Sequence, residues 1–195
     1  MLIVSFATAN TPYVQVLKDF LLPSLKKFNI VHDIVYPEDR GSWVLNTQLK
    51  PTIIRDMLLK HKQPIVFLDA DATIEYYPEL FDTLEKLEAD VGVHYLDWNK
   101  LWKGIEGNLK REIGGGTLYF NYNEKVLTFI DKWIALNIDD QKGLNILLPK
   151  ETDLKIYSLP IEYCAICKTN TVPEWIINPI IVHHQASRKY RGYRK

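Results

Sequence analysis

The chain has 195 residues, a length that suits one domain with a sizeable hydrophobic core. Its 24 Lys and Arg balance 24 Asp and Glu, so no global field draws it to nucleic acid. No apolar run approaches the roughly 18 residues of a membrane span, and two cysteines do not make a secreted disulfide scaffold. The first residues are apolar, lack a basic leader and read as a strand rather than a signal peptide. These features lead us to expect a cytoplasmic protein without a membrane span.

The charge is unevenly spread. Residues 187–195 carry Arg188, Lys189, Arg191, Arg194 and Lys195 and no acid, which leaves the rest of the chain acidic. A basic tail on an acidic body suits a site that holds a cation and an anionic ligand together. A solvated, frayed terminus would have the same composition.

Taken in order, residues 2–7 form a first strand and 8–12 a polar turn, with Pro12 where a helix would start. Val14, Leu17, Leu21 and Leu25 recur at helical spacing, and Pro23 predicts a kink or break in that helix. A second strand spans 30–36, followed by a loop over 37–42. A helix is expected from about Pro51 to His61, burying Ile54, Met57 and Leu58.

Residues 65–68 are a short continuous apolar run, the pattern of a strand buried on both faces. Asp69 and Asp71 follow at its carboxyl end, where open α/β sheets bind ligands. Such an oxygen-rich pair suits Mg²⁺ or Mn²⁺ bridging to phosphate. The alternative is a capping aspartate beside a solvated one, since short motifs also arise by chance.

A helix over 78–87 and a strand over 91–95 come next. Residues 97–112 break the rhythm, with Gly104, Gly107, Trp98 and Trp102, in the manner of a binding loop or lid. A short amphipathic helix with buried tryptophans would read the same way. Gly114, Gly115 and Gly116 then open a strand that runs to Asn121, allowing close backbone approach to a ligand or a structural bulge.

Asn123 is placed to cap a helix to about Asn137, and Asp139, Asp140 and Gln141 open a shorter one to Leu148. Residues 155–159 read as a strand, 160–173 as irregular, and 180–184 as a last strand ending in His183 and His184. Strands alternating with helices, then a mixed second half, predict an α/β sandwich. The chain reads as a single domain, 1–195, in two halves, 1–95 and 96–186, followed by the basic tail 187–195.

The order of these motifs resembles the GT-A fold glycosyltransferases that use nucleotide-diphospho-sugars, of the glycogenin and bacterial lipopolysaccharide galactosyltransferase type. The resemblance covers most of the chain and implies a nucleotide-binding half over 1–95 and a sugar and acceptor half over 96–186. It implies a Rossmann-like mixed central sheet flanked by helices, with a UDP-sugar as donor and Mn²⁺ (or Mg²⁺) as cofactor. By the same resemblance Thr8 and Asn10 line the nucleoside, Tyr13 stacks on the base, and Lys50 or Arg55 lies near the donor phosphates. Asp69 and Asp71 correspond to the family's metal-binding Asp-x-Asp, and His183 to the histidine that completes that site. Gly115 and Gly116 lie beside the donor sugar, and Asp140 and Gln141 by the reacting sugar and acceptor. Lys189 or Arg188 would neutralise the leaving diphosphate, although residues 185–189 depart from the family's usual ending.

The implied reaction is metal-dependent sugar transfer to a hydroxyl acceptor with retention of configuration. In an inverting enzyme Asp140 would instead be the base. The acceptor could be a glycan, a protein or a nucleic acid, and the sequence does not fix the oligomeric state.

Two other classes compete. The run from Asp69 to Thr73 also fits the nucleophile motif of haloacid-dehalogenase-type phosphatases, with Asp69 as nucleophile and Asp71 as acid/base. That motif normally sits on a first strand, whereas a βαβα segment precedes it here. A non-catalytic nucleotide-sugar-binding domain would keep Tyr13 and the metal site. Cys164 and Cys167 form one Cys-x-x-Cys with no second pair, and two semi-buried thiols fit better than a zinc or redox site.

Overall fold

A computed structural model describes residues 1–97, 112–169, 171–190 and 192. The expected loop over 97–112, but for its two end residues, and the basic residues Arg191, Arg194 and Lys195 lie outside the described residues. The elements in chain order are β1 (Ile3–Phe6), α1 (Pro12–Asp19), α2 (Leu21–Lys27), β2 (His32–Val35), α3 (Trp43–Thr47), α4 (Leu49–His61), β3 (Ile65–Leu68), β4 (Ala72–Ile74), α5 (Leu80–Leu84), β5 (Val91–Leu96) and β6 (Glu112–Phe120). They continue with α6 (Glu124–Leu136), α7 (Asp140–Leu147), β7 (Ile156–Ser158), β8 (Ala165–Ile166), β9 (Ile181–His183) and α8 (Ala186–Tyr190).

Six strands form the central sheet in the order β2-β1-β3-β6-β5-β7. β1 runs parallel to β2 and β3, while β6 is antiparallel to both β3 and β5. The sheet is therefore mixed and flanked by helices, as the resemblance implied. Alternation along the strands divides the core between its two faces. Val4, Phe67 and Phe120 pack with Ile54 and Leu58 of α4 and with Phe129, Ile130 and Trp133 of α6. Ile3, Val66, Leu68 and Tyr119 pack on the other face with Leu17 of α1, Leu21 and Leu25 of α2, and Leu84 of α5. β3 is buried at every residue, which is why it reads as an unbroken apolar run.

The expected break in the first helix falls at Phe20, between α1 and α2, so Pro23 sits inside the first turn of α2. A proline there needs no backbone donor, and its ring would clash with the carbonyl four residues back if the helix were continuous. The helix expected from Pro51 starts at Leu49, after the short α3, a stretch between the expected loop and helix to which the sequence assigns no element. β4 and β8 were likewise not expected as strands. Both are very short and exist only by pairing with β9, in a second sheet ordered β4-β9-β8. That small sheet brings the end of the chain back beside Asp71.

Asn123 caps α6 as predicted, its side chain accepting from the Val126 N–H at 3.0 Å. Asp139 caps α7 by accepting from the Lys142 N–H. Among the described residues, no helix is long and apolar enough to cross a membrane.

Candidate active site

The carboxyl ends of the parallel strands β1 and β3 open into one cleft of about 1420 Å³. Asp69 follows β3 directly, and its backbone N–H is held by the Gly116 carbonyl at 2.9 Å. Asp71 is one residue before β4, whose Ala72 pairs with His183 of β9. That pairing carries the histidine to the aspartates from the far end of the sequence. The ligand atoms of Asp69, Asp71 and His183 all lie within 4.8 Å of one another.

His183 is aimed by its neighbours. Its Nε2 meets the Thr117 hydroxyl at 2.8 Å, and its Nδ1 faces Asp71 Oδ1 at 3.6 Å. Burial opposes a proton on this ring, but Asp71 and Cys164 beside it favour one, and its pKa is pushed up to about 10. Burial likewise raises the Asp71 carboxyl, and its contacts with His183 and with the Ala186 N–H outweigh that and lower it. Two carboxylates and an imidazole oriented by a hydroxyl on its second nitrogen form a donor set that fits Mn²⁺ or Mg²⁺. Gly116 leaves the room this set needs, since a Cβ there would lie 2.7 Å from the His183 ring.

β6 bows at the site. Val93 of β5 pairs with Leu118 and Tyr95 with Ile113, so residues 114–117 stand opposite His94 alone. This bulge turns Gly114, Gly115 and Gly116 toward the cleft, which all three line. A Cβ on Gly115 would meet Asp140 and Gln141 at 3.5 Å.

Lys50 of α4 joins the two halves of the cleft. Its ammonium, 4% exposed as a residue, contacts Asp140, lies 2.9 Å from Asp69 Oδ1 and donates to the Gly115 carbonyl at 3.0 Å. Burial disfavours the charge on Lys50, but Asp140 and Asp69 overcome it and raise its pKa. Burial, with Asp69 nearby, raises the Asp140 carboxyl, and Lys50 offsets only part of that. Asp140 is 5% exposed at the start of α7, where the Trp133 indole donates to its backbone carbonyl.

The other sequence candidates divide. Thr8 and Tyr13 line the cleft, the Tyr13 ring meeting Tyr190 of α8 edge-on at 6.2 Å. Asn10 is exposed in the turn after β1, with φ 58°, and is not part of the lining. Arg55 faces away on the outer side of α4 and pairs with Asp131 of α6, so Lys50 is the basic residue that α4 brings to the site. Lys189 lies over the Tyr190 ring at 5.0 Å, and its neighbour Arg188 lines the cleft in its place.

His184 points the other way from His183, stacking on Phe20 and meeting Thr73 at 2.8 Å. Cys164 lines the cleft while Cys167 approaches His184, and both thiols are free. The cleft lining also includes Trp43 and Asn46, and Asn145 with Glu112 near Gln141, none of which the sequence singled out as a site residue, although Glu112 ends the stretch that resembles a binding loop. Trp43 and Asn46 belong to α3, which has no buried residue to mark it.

No family model matches the sequence, and no curated protein matches it. Solved structures do. A glycosyltransferase involved in the glycosylation of the major capsid of PBCV-1 is similar over 97% of this chain and 96% of its own, with TM-score 0.70 and 16% identity. Mouse xyloside xylosyltransferase 1 is similar over 95% of this chain and 97% of its own, with TM-score 0.55 and 10% identity. The galactosyltransferase LgtC, solved with donor and acceptor sugar analogues, is similar over 95% of this chain and 87% of its own, with TM-score 0.53 and 11% identity. The fold is thus the GT-A fold of glycosyltransferases.

Proposed function

We propose that this protein is a metal-dependent glycosyltransferase that moves a sugar from a nucleotide-diphospho-sugar, with UDP as the nucleotide, to a hydroxyl acceptor. The observation that carries this reading is the joining of Asp69, Asp71 and His183 to Asp140 through the buried Lys50, along one cleft of a GT-A fold. Asp69, Asp71 and His183 would hold Mn²⁺ or Mg²⁺. Bound there, the ion would offset negative charge that builds on the departing diphosphate.

The chain's own residues supply the rest. Thr8 and Tyr13 offer a polar edge and an aromatic face for the nucleoside. Of the two basic residues considered for the diphosphate, Arg188 rather than Lys189 adds positive charge at the cleft wall. The glycine bulge admits the sugar close to the backbone. Asp140 and Gln141 close that side and would orient sugar and acceptor hydroxyls.

The ion pair with Lys50 ties up the Asp140 carboxylate, which favours an orienting role over that of a base, in keeping with transfer that retains configuration. The phosphatase reading loses ground on the fold.

Incubation with a panel of nucleotide sugars and Mn²⁺, following release of the nucleoside diphosphate, tests this directly. Wild type should release it from at least one donor, and Asp140→Asn should slow that about 100-fold or more. No release from any donor, with UDP still bound, would point to a binding domain instead.

A further inference from the structure

Gln141 is held at both ends of its side chain. Its Nε2 donates to Glu112 Oε1 at 2.5 Å, and its Oε1 accepts from the Gly115 N–H at 3.4 Å. A backbone N–H only donates and an ionised carboxylate only accepts, so both partners require the same orientation of the carboxamide. Asn145 fixes the frame around it. Its Nδ2 donates to the Ile113 and Gln141 carbonyls at 3.1 and 2.8 Å, and its Oδ1 accepts from the Ile113 N–H at 2.8 Å. These contacts clamp the start of α7 to the entrance of β6, and Glu112, Gln141 and Asn145 all line the cleft.

We propose that Glu112 is a positioning residue for sugar transfer: it fixes which end of the Gln141 carboxamide faces each side of the reacting sugar. The inference rests on the transferase reading above. One N–H of the carboxamide goes to Glu112 and one lone pair to Gly115. The second N–H and second lone pair remain at defined positions for substrate hydroxyls. Turning the carboxamide over would exchange donor and acceptor there and misplace the hydroxyls that Gln141 orients.

Three variants test the proposal. Glu112→Gln keeps the shape but can donate as well as accept, so only the longer Gly115 contact still favours one orientation. The swap Glu112→Gln with Gln141→Glu restores a carboxylate–carboxamide pair while removing the Gln141 carboxamide. Glu112→Asp keeps an acceptor-only partner. The lock is read without turnover from the Gln141 side-chain amide protons by ¹⁵N NMR. In wild type the N–H facing Glu112 should be shifted downfield and slow to exchange with solvent, and in Glu112→Gln that shift and protection should diminish, while UDP affinity in Mn²⁺ changes less than twofold.

In turnover, kcat should fall about 10-fold in Glu112→Gln with donor KM unchanged, and recover in part in Glu112→Asp. The swap should recover melting temperature but not kcat. Unchanged amide signals in Glu112→Gln, or a swap that recovers kcat along with stability, would overturn the proposal. Absence of turnover in wild type with every donor would instead count against the transferase reading, and the amide signals would still decide whether Glu112 sets the orientation.

Discussion

Lys50 and Asp140 meet as a buried ion pair that ties α4 to the start of α7, with Asp69 at 2.9 Å as the second anion on the same ammonium. Breaking a buried pair costs far more than never having had one, because the remaining charge stays unpaired. Lys50→Met should therefore destabilise the protein by about 3–5 kcal/mol in urea denaturation. Lys50→Met combined with Asp140→Leu should recover much of that loss. A single variant within about 1 kcal/mol of wild type would mean that water reaches the pair.

Much of this site was legible in the sequence because its parts are local. A continuous apolar strand followed by two aspartates needs no tertiary knowledge to read, nor does an Asn123 cap or a run of three glycines. What was hidden depends on pairing across the chain. β4 has three residues and becomes a strand only beside β9. Arg55 and Lys50 lie on the same helix, and only its packing shows that one faces Asp69 and the other Asp131. Glu112 and Asn145 carry no motif, and they gain meaning only when α7 docks on β6.

Gly116 is predicted to tolerate no side chain. The Cβ of Gly116→Ala would lie 2.7 Å from the His183 ring, which pairing with Ala72 and the contact with Thr117 prevent from moving freely. Overpacking of this kind costs about 1–3 kcal/mol. Mn²⁺ affinity, measured by calorimetry, should fall at least about 10-fold, as expected when a ligand is displaced. Unchanged affinity would remove His183 from the metal set.

Asp71 has a second role at α8. Its Oδ2 accepts from the Ala186 N–H at 2.7 Å, so the same carboxylate that faces His183 also caps the C-terminal helix. Asp71→Ala should cost about 0.5–2 kcal/mol of stability even without metal, as loss of a cap does. Hydrogen exchange should show faster exchange in α8. A variant that lost metal binding with α8 protection intact would separate the two roles.

His94 sets a pH dependence. It is buried opposite the β6 bulge, and its Nδ1 donates to the Leu159 carbonyl at 2.8 Å. Burial holds its pKa below the ordinary 6.5, against the opposing effects of Leu159 and Glu162. As pH falls below 6.5 the unfolded chain takes up this proton first, so stability should be full above that pH and decline below it. Urea denaturation at pH 8 and pH 5 should show a larger loss for wild type than for His94→Gln. Equal losses would place the pH sensitivity elsewhere.

The most direct measurement is a calorimetric titration of the protein with UDP, with and without Mn²⁺, alongside Asp71→Ala. The account predicts binding that is at least about 10-fold tighter with Mn²⁺, and loss of that enhancement in the variant. No binding of UDP, GDP or other nucleoside diphosphates, together with a Mg²⁺-dependent phosphatase activity abolished by Asp69→Asn, would contradict it.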